Sequence, residues 1–199
     1  SIANDFDLRL LPLSQIASVE IIKGASSTLY GSGAGAAVIS IQTKQPSEET
    51  IQLRLQSSVG SNQSQQDQEF SPAEIQNSVS IGGRLKKWEY QTRFSQRYAD
   101  NLSAVSAPSG EDFEENPFRK YNAYAQVGYA FNEALNFQVF GNYDKFSSSF
   151  DNSNFTDGSN KLNSDQLRIG SNWEYTYGKG NAVLNASYNM LDREVEAEF

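Results

Sequence analysis

Cysteine and histidine are both absent from this 199-residue chain. That removes thiolate nucleophiles, disulfides, the usual zinc ligands and the commonest general base. Basic residues are in the minority, 16 Lys and Arg against 24 Asp and Glu, giving a net charge of −8. Phosphate recognition needs clustered cations, so a nucleic-acid partner is excluded. Long apolar runs are missing too. No stretch approaches the ~18 apolar residues of a membrane-spanning helix, and mean hydropathy is −0.58. A transmembrane β-barrel survives this test, because its strands need only alternate apolar with polar positions. The opening SIANDFDLRLL lacks a basic region followed by an apolar one, so no signal peptide is read there; either it was cleaved or the chain starts mid-protein.

What is present organises itself around turns and alternation. Residues 17–23, ASVEIIK, and 37–43, AVISIQT, are β-branched runs that predict strands. Gly24 ends the first, Ser26 to Tyr30 suits one serine-capped turn, and Gly31, Gly33 and Gly35 permit positive-φ backbone. Gln45 to Glu49, around Pro46, is expected to be a linker.

From Thr50 onward seven longer segments alternate. Ile51, Leu53, Leu55 and Val59 oppose Gln52, Arg54, Gln56 and Ser58. Trp88, Tyr90, Phe94 and Tyr98 oppose Glu89, Gln91, Arg93 and Arg97. The same rhythm places Tyr121 to Phe131, Leu135 to Tyr143, Leu167 to Tyr177 and Leu184 to Met190 on uncharged apolar faces. About ten residues at ~3.3 Å each, tilted by ~45°, nearly fill the ~25 Å apolar band of an outer-membrane barrel. Connections alternate between tight (86–87, 132–134, 178–180) and long (60–74, 99–120, 147–165), as periplasmic turns and extracellular loops do. Aromatics gather beside the tight turns, as an interfacial girdle requires. A soluble β-sandwich also alternates, but its strands usually run to only ~5–6 residues.

The stretch from Leu13 to Lys44, LSQIASVEIIKGASSTLYGSGAGAAVISIQTK, resembles the distal part of the plug domain of TonB-dependent outer-membrane transporters. Glu20, Lys23, Gly24, Tyr30, Gly31, Gly33 and Gly35 fall on that motif, while Ala25, Ala36, Ala37 and Ser40 depart from it. The resemblance implies a mainly β fold. It consists of the distal part of a plug at 1–45, then at 46–199 the first strands, about seven of ~22, of a transmembrane antiparallel β-barrel. It also implies bacterial outer-membrane localisation, a TonB-type energy-coupling partner in the periplasm, and energised uptake of a scarce extracellular ligand such as a siderophore, haem or cobalamin. No enzyme activity follows from it. Readings of a different class are a structural or docking barrel, for example one gated by a surface lipoprotein, and a β-rich surface adhesin.

Three features bear on chemistry. Residues 31–36 formally match a dinucleotide fingerprint, but a strand follows where a helix must receive the pyrophosphate, so a plug turn is preferred. Glu20 and Lys23 on an enclosed strand need partners, for which inward-facing Arg54, Arg84, Arg93, Arg97 and Glu89 are candidates. The acidic loops, with Asp151 and Asp157, contain oxygen ligands of the calcium type, but EF-hand spacing is missing and solvated loops are the default.

Overall fold

The computed structural model describes residues 16–24, 37–44, 47–61, 72–100, 116–152, 158 and 160–197. The chain divides into two compact units, Ser1–Gln45 and Pro46–Phe199. All regular structure among the described residues is β-strand.

In the first unit, β1 (Ile16–Lys23) pairs antiparallel with β2 (Ala37–Thr43), Glu20 lying opposite Ser40 and Lys23 opposite Ala37. Gly24 leaves β1 at φ +112°, a backbone conformation that side chains with a Cβ rarely adopt. Because strand side chains alternate, Glu20 and Lys23 project from opposite faces of the hairpin.

The second unit is a seven-stranded antiparallel sheet in which every strand pairs with its neighbours in sequence. Its members are β3 (Gln52–Gly60), β4 (Glu74–Leu85), β5 (Trp88–Ala99), β6 (Phe118–Ala130), β7 (Leu135–Phe150), β8 (Asn160–Tyr177) and β9 (Gly180–Glu196). All seven expected strands are there, joined by the three expected tight turns. Lys86 turns the β4–β5 hairpin with φ 56°.

The strands run further than alternation alone foretold. β7 and β8 are 16 and 18 residues long, and they absorb most of what was expected to be a loop at 147–165. Above the apolar band nothing selects greasy side chains, so the alternation disappears while the backbone ladder continues. Polar cross-strand pairs accompany it there: Ser147 Oγ donates to Asn163 Oδ1 at 2.8 Å, and Lys145 lies 3.7 Å from Asp165. Phe118, expected in the 99–120 loop, is instead a strand residue packed edge to face with Phe146 of β7 at 5.2 Å, and Phe146 is buried. Charge thus does reach the outer face, but only at the long-loop end.

Register aligns the side chains into rows that cross the sheet. One row runs Leu85, Trp88, Tyr129, Phe137, Trp173 and Leu184. Trp88 and Tyr129 meet at 4.6 Å and Phe137 and Trp173 at 4.1 Å, so the girdle is a physical belt beside the tight turns. The row through Val79, Phe94, Ala123, Tyr143, Leu167 and Met190 is the last apolar one before Lys145, Asp165 and Asp192. On β8 the apolar stretch from Leu167 to Tyr177 rises ~23 Å at ~3.3 Å per residue and ~45° tilt, which matches a bilayer's apolar band.

The packing inverts that of a water-soluble protein. The most buried large side chains are Gln166, Asn122, Asn160 and Asp144, while Ile169, Val127, Leu184 and Met190 are exposed. Water-soluble domains bury aliphatic residues and leave charged ones outside. A sheet curved toward its polar face crowds polar side chains together and spreads the apolar ones apart.

The approach to β3 is clipped to β4. The Arg84 amide donates to Glu49 O at 2.8 Å, and Tyr90 Oη donates to Thr50 O at 2.9 Å. Arg84 also pairs with Glu48. Gly83 lies beneath this crossing, where a Cβ would come within 2.3 Å of Thr50 O.

Candidate functional site

The polar face of the seven-stranded sheet gathers the chain's reactive and ligand-capable side chains. Its centre is a three-residue network on β6 and β7. Asn122 Nδ2 donates to Asp144 Oδ1 at 2.8 Å and to Asn142 Oδ1 at 2.9 Å, and Asn142 Nδ2 donates to Asp144 Oδ2. Antiparallel register makes this possible by placing Asn122 opposite Asp144 and Asp144 opposite Gln166. Gln166 Nε2 in turn donates to Asn189 Oδ1 at 2.8 Å. Lys120 and Arg168 lie close enough to act on the Asp144 charge. A buried carboxylate held by two amides and flanked by two cations is satisfied, and such a network stiffens the sheet that carries it.

Further toward the tight turns the network becomes sparser. Asn172 Nδ2 donates to Gln138 Oε1 at 2.9 Å, and the Phe140 ring covers Gly170, where an added Cβ would come within 2.6 Å of it. Glu89 lies across Gly128 in the same way. These glycines admit a neighbour's side chain where any other residue would displace it.

Arg54, Arg84, Arg93 and Arg97 share the polar face of the sheet, with different surroundings. Arg97 donates to Glu74 at 2.8 Å and stacks 5.4 Å from the Phe118 ring. Arg84 bridges Glu48 and Glu89 across the β4–β5 hairpin, the Glu89 contact being 3.3 Å. Arg54 lies 3.4 Å from Gln52 Oε1 on its own strand. Arg93 is 6% exposed and shares a row with Ser80 and Tyr124.

Glu20, Lys23 and Gly24 belong to the first unit; the Glu20 and Lys23 side chains are exposed. Tyr30, Gly31, Gly33, Gly35 and Asp157 lie outside the described residues. Asp151, the other residue offered for calcium, accepts a hydrogen bond from Asn116 Nδ2 at 2.8 Å. Among the described residues no group of three or more acidic side chains is disposed to hold a metal ion.

Sequence reasoning did not single out Asn122, Asn142, Asp144 and Gln166. Their signal was their parity: each occupies the face opposite a counted apolar residue, and each neighbouring turn sets what they meet. What they build is a polar wall rich in amide donors and acceptors, able to exchange hydrogen bonds with a solvated ligand.

No curated protein matches the chain. Residues 1–38 match the family model of the TonB-dependent receptor plug domain. An inside-out antiparallel sheet follows that match in the sequence, an arrangement consistent with part of a TonB-dependent receptor.

Proposed function

We propose that the chain is part of an outer-membrane receptor that takes up a scarce ligand, of the siderophore, haem or cobalamin kind, with energy delivered by a TonB-type protein in the periplasm. The observation that carries this reading is the inversion of burial, with Asn122, Asp144 and Gln166 enclosed while Val127, Ile169 and Leu184 are bare. Such a sheet is stable only where its apolar face meets lipid and its polar face meets a watery interior. The plug match adds the family's working part. The reading assigns binding and passage to the chain, and no catalysis.

The test is uptake by cells carrying the complete receptor, supplied with a siderophore, haem or cobalamin as the only source of iron or cobalt. The protein should fractionate with the outer membrane, and accumulation of one ligand should stop when the proton gradient is collapsed or the TonB-type protein is deleted. A water-soluble protein, or uptake indifferent to both treatments, would refute the proposal.

A further inference from the structure

One cation on the polar face stands apart from the others. Arg84 and Arg97 each hold a carboxylate, whereas Arg93, though 6% exposed, has no ion pair or hydrogen bond among the described residues. The next charged residue along its row, beyond Ser80, is Arg54, whose charge adds to its own. Beside it, two residues back on β5, Gln91 lies opposite Gln126 of β6. Both are buried, at 8% and 5% exposure. Gln91 Oε1 and Gln126 Nε2 have no hydrogen-bond partner. Tyr124 Oη donates to Gln126 Oε1, which leaves the amide nitrogen as the end that Gln126 presents.

A buried guanidinium without a counter-ion is costly, and so are a buried amide acceptor and donor without partners. Here all three occur together. We infer that Arg93, Gln91 and Gln126 form a subsite for a small carboxylate whose neighbouring carbon bears a hydrogen-bond donor. The planar fork of Arg93 matches the two carboxylate oxygens, and Gln126 Nε2 adds a third donor. Gln91 Oε1 is then the acceptor for an adjacent hydroxyl or amide N–H. Opposed residues stand ~5 Å apart and alternate residues ~6.6 Å apart, so the three groups converge on something two or three carbons across. The inference deepens the transport reading, on which it rests in taking the polar face as the watery interior.

The test uses the complete receptor folded in detergent micelles, its folding checked by gel mobility before and after heating, with lactate and propionate as probes in a calorimetric titration. Lactate should bind at least about fivefold more tightly than propionate, the value of one added hydrogen bond. R93Q should weaken both by about tenfold or more. Q91L should bring lactate down to the propionate level and leave propionate unchanged. R97Q, on the same face but already paired with Glu74, should alter neither by more than about twofold. If R93Q fails to fold, R93K keeps the charge and lacks the fork, and it should still bind more weakly than the native protein. Equal binding of the two acids, no binding of either, or native-like binding by the Arg93 variants would overturn the subsite. Energised uptake is a separate measurement, so a negative titration and a failure of the transport reading are told apart.

Discussion

Replacing Ala125 with arginine places a guanidinium in the middle of the apolar band. Ala125 shares its row with Ile81, Thr92, Gly141, Ile169 and Tyr188, none of which offers a counter-charge. Along β6 the girdle residue Tyr129 is four residues away in one direction and Tyr121, level with Lys145 and Asp165, four in the other. At ~3.3 Å per residue that is ~13 Å of strand each way, or ~9 Å of depth once a ~45° tilt is allowed for. On the proposed outer-membrane reading the side chain lies near the midplane, where an arginine costs ~2–4 kcal/mol, against ~0–1 kcal/mol near the interface. Ala125→Arg should lower the folding free energy of the complete receptor in lipid vesicles by ~2–4 kcal/mol, about 30- to 800-fold in the equilibrium constant. Tyr121→Arg at the upper boundary should remain within ~1 kcal/mol of the native value. Urea titration in vesicles, read by tryptophan emission and gel mobility, measures both. In water an exposed position tolerates such a change within ~0.5 kcal/mol. Equal, small effects at both positions would therefore refute the assignment of this face to lipid.

Three other outcomes follow from the packing. Gly170→Ala should destabilise by ~1–3 kcal/mol, since the new methyl meets the Phe140 ring at 2.6 Å and Ala186 O at 2.8 Å; adding Phe140→Ala should restore only part, because the backbone oxygen stays, and a double-mutant cycle in urea reads the difference. Asn122→Ala removes two of the hydrogen bonds in the Asp144 network and should cost ~2–3 kcal/mol, with faster amide exchange in β6 and β7. Trp88→Ala deletes half of the Trp88–Tyr129 contact at 4.6 Å and should cost ~0.5–1.5 kcal/mol beyond its lost area; partition of the variant into vesicles of different thickness would show the loosened anchoring.

The strands were legible because apolar and polar side chains take alternate positions, one set on each face of the sheet. Tyr121, Ala123, Ala125, Val127 and Tyr129 are apolar in step, and β6 occupies Phe118–Ala130 around them. Where only water lies on both sides, as over KFSSSF at the end of β7, that selection lapses and the strand could not be read. The aromatic girdle was legible from its place beside tight turns. The Asn122–Asp144 network was not, although the turn contained its key: closing Ala130 on Asn136 puts Asn122 opposite Asp144. Arginine orientation was readable from parity, whereas the choice of partner was not. Arg97 meets Glu74, diagonal to it on β4, while Arg93 meets no acid among the described residues, a matter of register beyond the strand itself.

The strand order, in which consecutive strands from β3 to β9 pair with one another, bears on how the sheet comes into being. Among these seven strands no pairing waits for a distant segment, so loop closure costs little at each of these steps and their assembly can advance one hairpin at a time. Each finished strand presents a row of backbone amides and carbonyls to the next. The growing rim thus serves as its own mould, and delay would occur where the longest connection, between β5 and β6, must be spanned before the next strand can be zipped on.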